Sequence, residues 1–275
     1  MIQLNVKSKV LFGVIMINQM QKKVLILALH AGELMMKSGA EIYRVEDTIT
    51  RICKACKIPY VEVFATPTGI FLSLDEGSVD SDMHTFIKRI KGSSIDLEKI
   101  SQINHFSREF TSTDLSIDSG LAIIKDISNI KPYPLLVRIL GAALVSSFFA
   151  LIFQGAIKDF FCAFFAGACS YALSVFLDKL ETNLFIRGFC CCAAATLIAL
   201  GLFSTGLGSD LNSIIIGSIM IFLPGVALTN AVRDTLAGDM LSGASKGIEA
   251  VIIVVSIASG VGVAIKLWTL LGGVF

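Results

Sequence analysis

The segment 24–57 carries a helical pattern of apolar and polar positions. In its second part the apolar residues recur at spacings of three and four, which places them on one stripe of a helix: Ile42, Val45, Ile49, Ile52 and Cys56. Ser38 is followed three residues later by Glu41, which is the spacing of a capping box that opens a new helix. Because Gly39 weakens a helix between them, the pattern predicts two helices joined at this point.

After Pro59 the pattern changes to short runs with a period of two. The predicted strands and turns alternate along the chain: strand 60–65, turn 66–69, strand 70–74, turn 75–78 and strand 83–90. Two more helical patterns follow at 95–110 and 115–130. The first half of the chain is therefore predicted to be a small α+β domain in which helices flank a three-stranded meander.

The second half of the chain contains five long apolar stretches. Each supplies the roughly 20 apolar residues that a helix needs to cross the ~30 Å hydrocarbon core of a bilayer, and a helix leaves no backbone group unpaired in lipid. The predicted spans are about 134–154, 159–177, 186–205, 212–232 and 248–271. These stretches have too few polar faces to be buried helices of a large soluble protein. The predicted fold is an α-helical membrane protein, with five transmembrane helices preceded by a small cytosolic α+β domain.

Charge is divided unevenly along the chain. Of the 45 charged residues, residues 1–133 contain 31 and residues 134–275 contain 14. This division favours a water-facing part followed by a membrane part. Lysine and arginine are concentrated on the flanks that lie inside the cell when the amino terminus is inside: Lys131, Arg138, Lys179, Arg187, Arg233 and Lys246. The expected location is the cell (cytoplasmic) membrane, multi-pass, with a cytosolic amino terminus and an external carboxyl terminus.

These patterns divide the chain into three expected parts. Residues 1–23 are expected to be a leader or a disordered amino terminus, and either Met1 or Met20 could be the start. Residues 24–131 are expected to form the cytosolic α+β domain, and residues 132–275 the membrane domain. The seven cysteines are odd in number and lie mostly in apolar runs, which argues against a disulfide framework.

The strongest candidate for chemistry lies around the end of the fourth predicted span. Pro224 and Gly225 are predicted to kink or break this helix, and broken helices expose backbone groups that transporters use to hold substrates and ions. Polar and ionisable residues follow the break: Asn230, Arg233, Asp234, Asp239, Ser242, Lys246 and Glu249. An ionisable group at membrane depth costs about 2.5–3.5 kcal/mol, so such groups are expected to have partners. The alternative is a cytosolic loop with ordinary surface charges, and it weighs most for Lys246.

No pattern of an enzyme or of a nucleic-acid binder is found. The three histidines lie far apart in sequence, no Walker A sequence occurs, and no G-x-G-x-x-G follows a predicted strand. We therefore expect no enzymatic activity, no metal site and no cofactor. The formal net charge of +1 argues against a nucleic-acid binder that relies on bulk positive charge.

Three segments carry a resemblance to a known family. They are HAGELMMKSGAEIYRVEDTITRICKA, VEVFATPTGIFLSL and PGVALTNAVRDTLAGDMLSGASKGIEA. In this order they resemble the threonine/serine exporter (ThrE) family, and the resemblance covers about residues 24–271. Family members either join two membrane halves in one chain or split them between a large and a small subunit. This chain is similar to the large subunit of the split type, because it lacks a second set of spans.

The resemblance implies a secondary transporter that exports small polar metabolites and is driven by the proton motive force. Threonine and serine are the substrates of the fused members, and dicarboxylates such as succinate are attributed to the split ones. The implied partners are a small membrane subunit of the same family, the small-molecule substrate and membrane lipid. Assembly into a homo-oligomer stays open.

The resemblance can be carried over residue by residue. In the soluble motif the matching positions are Gly39, Glu41, Arg44 and Glu46. In the membrane motif they are Pro224, Gly225, Asn230, Arg233, Asp234, Gly238, Asp239, Ser242, Gly243 and Glu249. The departure is Lys246, where the resemblance leads us to expect arginine. Lysine keeps the charge but loses the bidentate fork for a carboxylate.

The leading hypothesis gives these residues separate roles. Arg233, or a helix amino end next to Pro224 and Gly225, would meet the substrate carboxylate. Asp234 or Asp239 would carry the coupled proton, because an apolar setting raises the pKa of a carboxylate. Arg233 and Asp234 are adjacent in a helix, so each is expected to have its own partner.

Two other functions stay open beside export of threonine and serine. One is a subunit that exports dicarboxylates of the succinate type, and the other is a membrane-anchored sensor or assembly protein without transport of its own. The domain 24–131 is expected to gate the membrane part, to bind substrate or to hold subunits together.

Overall fold

The computed structural model describes residues 2–75, 84–92 and 94–273, and the side chains of these residues from Met20 onward apart from that of His84. The chain forms two compact units. Unit 1 comprises Met1–Lys131 and Thr229–Lys246, and unit 2 comprises Pro132–Leu228 and Gly247–Phe275. The segment 229–246 is therefore packed in unit 1. It falls within residues 132–275, which the sequence predicts to be the membrane domain.

The described part of unit 1 contains four helices that precede the candidate membrane spans. They are α1 Ile2–Lys37, α2 Ile42–Ala55, α3 Leu97–Ser112 and α4 Ile117–Ser128. Residues 2–23 form the first part of α1. The two helices predicted at 95–110 and 115–130 are confirmed with boundaries shifted by about two residues.

The junction between α1 and α2 differs from the predicted capping box. Gly39 adopts the left-handed conformation (φ +82°), and the amides of Gly39 and Ala40 donate to the carbonyls of Met36 and Met35. This Schellman pattern ends α1 and requires glycine at the left-handed position. The residue at the start of α2 is Glu41 and not Ser38, and its side chain makes no capping hydrogen bond. The first amides of α2 must therefore find an acceptor elsewhere.

The predicted meander is confirmed as a three-stranded antiparallel sheet with the order β1, β2, β3. The strands are β1 Tyr60–Thr66, β2 Gly69–Asp75 and β3 His84–Arg89. Val63 pairs with Leu72, and Leu72 pairs with Phe86. The remainder of the turn predicted at 75–78, after Asp75, and the start of the strand predicted at 83–90 lie outside the described residues.

The core of unit 1 is built from large apolar side chains. The largest fully buried ones come from α1, α2, α3 and the sheet: Val24, Leu27, Met35, Ile42, Ile49, Ile52, Ile70, Leu72, Ile103 and Phe106. Ile42, Ile49 and Ile52 belong to the apolar stripe predicted from sequence. Burial of each such side chain contributes about 1.5–3 kcal/mol, so this core holds α1 and α2 against the sheet.

The remaining helices alternate with short connections. They are α5 Leu135–Ile152, α6 Ile157–Lys179, α7 Leu184–Ser204, α8 Leu211–Ile219, α9 Gly225–Leu236 and α10 Met240–Leu270. By length and composition α5, α6, α7 and α10 can each cross a membrane. The fourth predicted span is not one straight helix. Its halves, Leu211–Phe222 and Gly225–Leu236, are bent by 56°, so the described residues contain four candidate spans, or five if the bent pair counts as one.

Unit 2 packs its helices through small side chains. Buried alanines, serines and a threonine line the contacts among α5, α6, α7 and α8: Ala142, Ala143, Ser146, Ser147, Ala163, Ala166, Ser170, Ala195, Thr196, Ala199, Ser213 and Ser218. Several hydroxyls donate to a carbonyl of their own helix, as Ser147 does to Ala143, Thr196 to Cys192 and Ser218 to Ile214. Small residues allow the close backbone approach that stabilises helix pairs in lipid.

Candidate functional site

A cluster of hydrogen-bonded and ion-paired groups lies within unit 1, where α9 and the first turns of α10 meet the α1–α2 junction. We call it the junction cluster. Its members are the backbone of Gly39, Ala40 and Ile42, and the side chains of Glu41, Arg44, Asn230, Arg233, Asp234, Ser242 and Lys246. Contacts in the cluster join residues up to 206 positions apart in the sequence.

Asp234 lies at the centre of the junction cluster and is fully buried. Its Oδ1 accepts from the Ile42 amide at 3.1 Å, and its Oδ2 accepts from Ser242 Oγ at 3.0 Å and from Lys246 Nζ at 2.9 Å. The carboxylate therefore caps the amino terminus of α2 in place of the Glu41 side chain. Its negative charge is favourable there, because the amino end of a helix is electropositive.

Lys246 neutralises Asp234 and also holds the junction backbone. Its Nζ donates to the Ala40 carbonyl at 3.2 Å in addition to Asp234, and its side chain is 14% exposed. A buried ion pair is tolerated when further hydrogen bonds satisfy both charges. Two acceptors in different directions suit an ammonium group. The predicted alternative of an ordinary surface charge is therefore wrong for Lys246.

Glu41 bridges two arginines. Its Oε2 accepts from Arg44 NH1 at 2.9 Å, and its Oε1 accepts from Arg233 NH1 at 2.7 Å. Burial raises the pKa of Glu41, but hydrogen bonds from its own backbone, Arg233 and Arg44 outweigh burial and lower the pKa below its usual value. Arg233 remains about half exposed at 56% of its side chain. Adjacent Arg233 and Asp234 thus have separate partners, as the sequence predicts.

Asn230 extends the same face of α9 by one turn. Its Nδ2 donates to the Gly39 carbonyl at 2.9 Å, and the side chain is largely buried. Residues three and four apart lie on one face of a helix, so Asn230, Arg233 and Asp234 reach the junction together. Hence α9 hydrogen-bonds to the turn that the left-handed conformation of Gly39 forms.

Asp239 lies in the short connection between α9 and α10. Its amide donates to the Asp234 carbonyl at 2.8 Å. Burial raises the pKa of the Asp239 carboxyl, the negative charge of Asp234 raises it further, and Lys246 lowers it in part. Asp239 is thus poised to take up a proton at a higher pH than an ordinary aspartate.

Glu46 on α2 is the second carboxyl with a raised pKa. Its Oε1 accepts from the Ala65 amide at 2.7 Å. Burial raises the pKa of Glu46, the Ala65 amide lowers it in part, and the charge of Asp239 raises it again. Two carboxyls, one from the soluble motif and one from the membrane motif, therefore influence each other's protonation within unit 1. The sequence placed Glu46 and Asp239 in separate motifs and did not predict this coupling.

The other candidate residues lie apart from the junction cluster. Glu249 belongs to unit 2, where it is exposed. Pro224 and Gly225 also belong to unit 2 and mark the break, because the backbone leaves the helical conformation at Leu223 and α9 begins at Gly225. Gly243 lies in the first turns of α10, next to Ser242 of the cluster. The letters G-x-S-x-G at 243–247 fall inside that helix, so they lack the strand and turn of a nucleophile elbow.

The cluster offers charge pairing and proton uptake but no ligand set for a metal. Among the residues that the structure describes, no group of three histidine, cysteine or acidic side chains converges. The cations Lys246 and Arg233 each have an acidic partner. Asp239 and Glu46 beside the cluster have raised pKa values, and the side chains of Arg233 and Arg44 are partly exposed.

Comparison with known proteins gives a consistent result. A family described as "Putative threonine/serine exporter" (ThrE) matches residues 26–268. The "Probable succinate transporter subunit YjjP" of Klebsiella aerogenes is 24% identical over 260 residues, covering 92% of this chain and 96% of the relative. The protein of that name from Escherichia coli K12 is also 24% identical, covering 93% and 99%. No solved structure gives a significant match. The match to the family spans both units, and the chain belongs to the threonine/serine exporter (ThrE) family.

Proposed function

We propose that this chain is the large subunit of a two-component secondary exporter of small carboxylates, driven by the proton motive force. Unit 1 faces the cytosol in this proposal, and a separate small membrane subunit completes the pathway. The observation that carries it is the junction cluster, in which a bent membrane helix pair ends in paired charges and coupled carboxyls. Polar groups next to a broken helix are typical of the substrate and ion sites of transporters.

The proposed substrates are dicarboxylates first and threonine and serine second. Two relatives that this chain matches over nearly their whole length carry the name of a succinate transporter subunit. The family description favours threonine and serine. All three compounds carry a carboxylate, and the guanidinium of Arg233 is about half exposed while it uses NH1 for Glu41. A guanidinium with donors to spare is suited to bind a carboxylate.

The geometry favours Asp239 and Glu46 over Asp234 as the proton carriers. Both oxygens of Asp234 accept hydrogen bonds, and one of them faces Lys246. Protonating Asp234 would leave that lysine buried without its counter-charge. Asp239 and Glu46 have raised pKa values, and the charge of Asp239 contributes to the shift at Glu46, so each takes up a proton more readily than an ordinary carboxyl. Of Asp234 and Asp239, the proposed proton carrier is therefore Asp239.

The test is counterflow in proteoliposomes that contain this chain together with a small membrane subunit of the same family. We expect exchange of labelled succinate that depends on both subunits and is stimulated by a proton gradient. In Asp239→Asn and Glu46→Gln, counterflow should persist while gradient-driven export falls about tenfold or more, because the proton site is lost. Asp118→Asn, which removes a surface ion pair with Lys23, is the matched control and should behave as wild type.

The outcomes separate the competing functions. Gradient-driven export that is intact in both acidic variants would exclude these residues as proton carriers. No counterflow of succinate, threonine or serine with the partner present would favour a sensor or assembly protein. Counterflow of threonine and serine without succinate would reverse the proposed order of substrates.

A further inference from the structure

A polar groove lies on unit 1 beside the junction cluster. It has a volume of about 830 Å³ and runs along α3, with Arg44 of α2 lining it as well. The polar groups along α3 are Ser101, Asn104, His105 and Arg108. Leu97 and Ile100 line it as well, so the groove offers polar groups that can orient a ligand beside apolar side chains.

Two guanidinium groups from different helices line this groove. Arg108 is exposed, and among the side chains that the structure describes no carboxylate lies within ion-pair distance of it. Arg44 donates through NH1 to Glu41 and makes no other side-chain hydrogen bond within the described residues. Glu109 also lines the groove, where it lies 3.6 Å from His105. The groove therefore holds two cations with donors to spare and one carboxylate beside a histidine.

We propose that this groove binds a small dicarboxylate, with Arg108 and Arg44 each taking one of its carboxylates. The proposal rests on the proposed export of small carboxylates and adds a second site for that class. The planar fork of a guanidinium fits a carboxylate. Two such forks favour a dianion over a zwitterionic amino acid, whose ammonium group would meet one of them.

Arg44 connects the groove to the junction cluster. Glu41 accepts from Arg44 with one oxygen and from Arg233 with the other. A dicarboxylate that binds the remaining donors of Arg44 places negative charge beside Glu41 and weakens the ion pair between Arg44 and Glu41. A ligand in the groove therefore changes the ion pair between Glu41 and Arg233. Arg233 belongs to α9, the helix that also carries Asp234.

The test measures binding to the full chain in detergent by equilibrium dialysis with labelled succinate and labelled threonine. We expect saturable binding of succinate, tighter than that of threonine. Arg108→Gln should weaken succinate binding about tenfold or more, since a hydrogen-bonded charge is removed. Arg51→Gln is the matched control, because Arg51 pairs with Asp47 on α2 and does not line the groove. Thermal melting should show both variants folded as wild type.

Three results would overturn the groove site: no saturable succinate binding by the wild-type chain, unchanged binding in Arg108→Gln, or binding that Arg233→Gln abolishes while Arg108→Gln keeps it. Counterflow with the small subunit tests transport separately. Transport without Arg108-dependent binding would contradict the binding site in the groove and support the proposed exporter. Arg108-dependent binding without any counterflow would support the binding site and contradict the proposed exporter.

Discussion

Unit 1 and unit 2 place large and small side chains in opposite ways. In unit 1 the buried positions hold isoleucine, leucine, methionine and phenylalanine. In unit 2 they hold mainly alanine, serine and cysteine, while large side chains such as Leu136, Phe161, Phe165 and Val251 are more than 60% exposed. Water drives large apolar groups inward, whereas lipid gives no such drive and rewards close backbone contact. Apolar side chains therefore build two different kinds of interior in this chain.

The junction cluster adds a third kind of interaction to unit 1. Asp234 and Lys246 belong to helices whose remaining parts lie in unit 2, yet they satisfy the backbone of the α1–α2 junction. Stability of unit 1 should thus depend on residues from the membrane motif. The following predictions test the contrast, from the largest expected effect to the smallest.

Asp234→Ala should be the most damaging substitution. It leaves the Lys246 ammonium without its counter-charge and the Ile42 amide without its acceptor, and breaking a buried pair costs about 3–5 kcal/mol. A much lower melting temperature of the full chain in detergent is the expected result. Asp234→Ala combined with Lys246→Met should recover part of the loss, because the unpaired charge is gone. A double variant less stable than Asp234→Ala would contradict the unpaired charge of Lys246 as the cause of the loss.

Ile49→Ala should destabilise unit 1 through a cavity. The side chain is fully buried against α1 and the sheet, and such truncations cost about 2–5 kcal/mol. The matched control is Ile248→Ala in unit 2, where the isoleucine is exposed, and it should change the free energy of unfolding by less than about 0.5 kcal/mol. Equal melting temperatures of the two variants would contradict the burial of Ile49 in the core of unit 1.

Gly217→Ala should destabilise unit 2 through crowding. A methyl group at this position in α8 would lie 2.6 Å from the Ser146 carbonyl oxygen and 2.8 Å from the Ala150 amide. Overpacking of this kind costs about 1–3 kcal/mol. Gly141→Ala in α5 has open space around it and should be neutral or slightly stabilising. Thermal melting of both in detergent decides, and a tolerated Gly217→Ala would argue against close packing of α5 and α8.

Glu46→Gln should show the smallest effect, and its sign depends on pH. The raised pKa of Glu46 means that its stabilising contribution is present below the unfolded pKa and is lost as the pH rises through the folded pKa. The variant should melt like wild type near pH 4 and about 1–3 °C higher near pH 7.5.

Glu41→Gln is the opposite case, because the pKa of Glu41 is lowered. Its contribution is present above the unfolded pKa and is lost as the pH falls through the folded pKa. Its deficit in melting temperature should therefore shrink on acidification. If the melting temperatures of Glu46→Gln and Glu41→Gln changed with pH in the same direction relative to wild type, the opposite pKa shifts of Glu46 and Glu41 would be contradicted.

Local patterns in the sequence predicted most of the elements. The stripe through Ile42, Ile49 and Ile52 faces the core of unit 1, and the period-two runs form the three strands. The helix ends were predicted less well. Ser38 and Glu41 have the spacing of a capping box, but the Schellman turn at Gly39 moves the start of α2 to Glu41. Spacing alone cannot decide between two local hydrogen-bond patterns.

The junction cluster could be predicted only in part. The charges after Pro224 were identified, and Arg233 and Asp234 were expected to have different partners. Their partners, Glu41 and the Ile42 amide, lie 192 residues away, and no local pattern encodes such a distance. The coupling of Glu46 with Asp239 arises from the same long-range packing, so it too requires the fold.

The hydroxyl groups inside unit 2 have a consequence for motion. Ser147, Thr196 and Ser218 each donate to the carbonyl four residues earlier in their own helix. Each of these bonds travels with the helix that contains it. If α5, α7 or α8 slides or turns against a neighbour, none of the three is broken, and the polar atoms stay satisfied throughout. These three hydroxyls therefore add no hydrogen-bonding barrier to such a rearrangement.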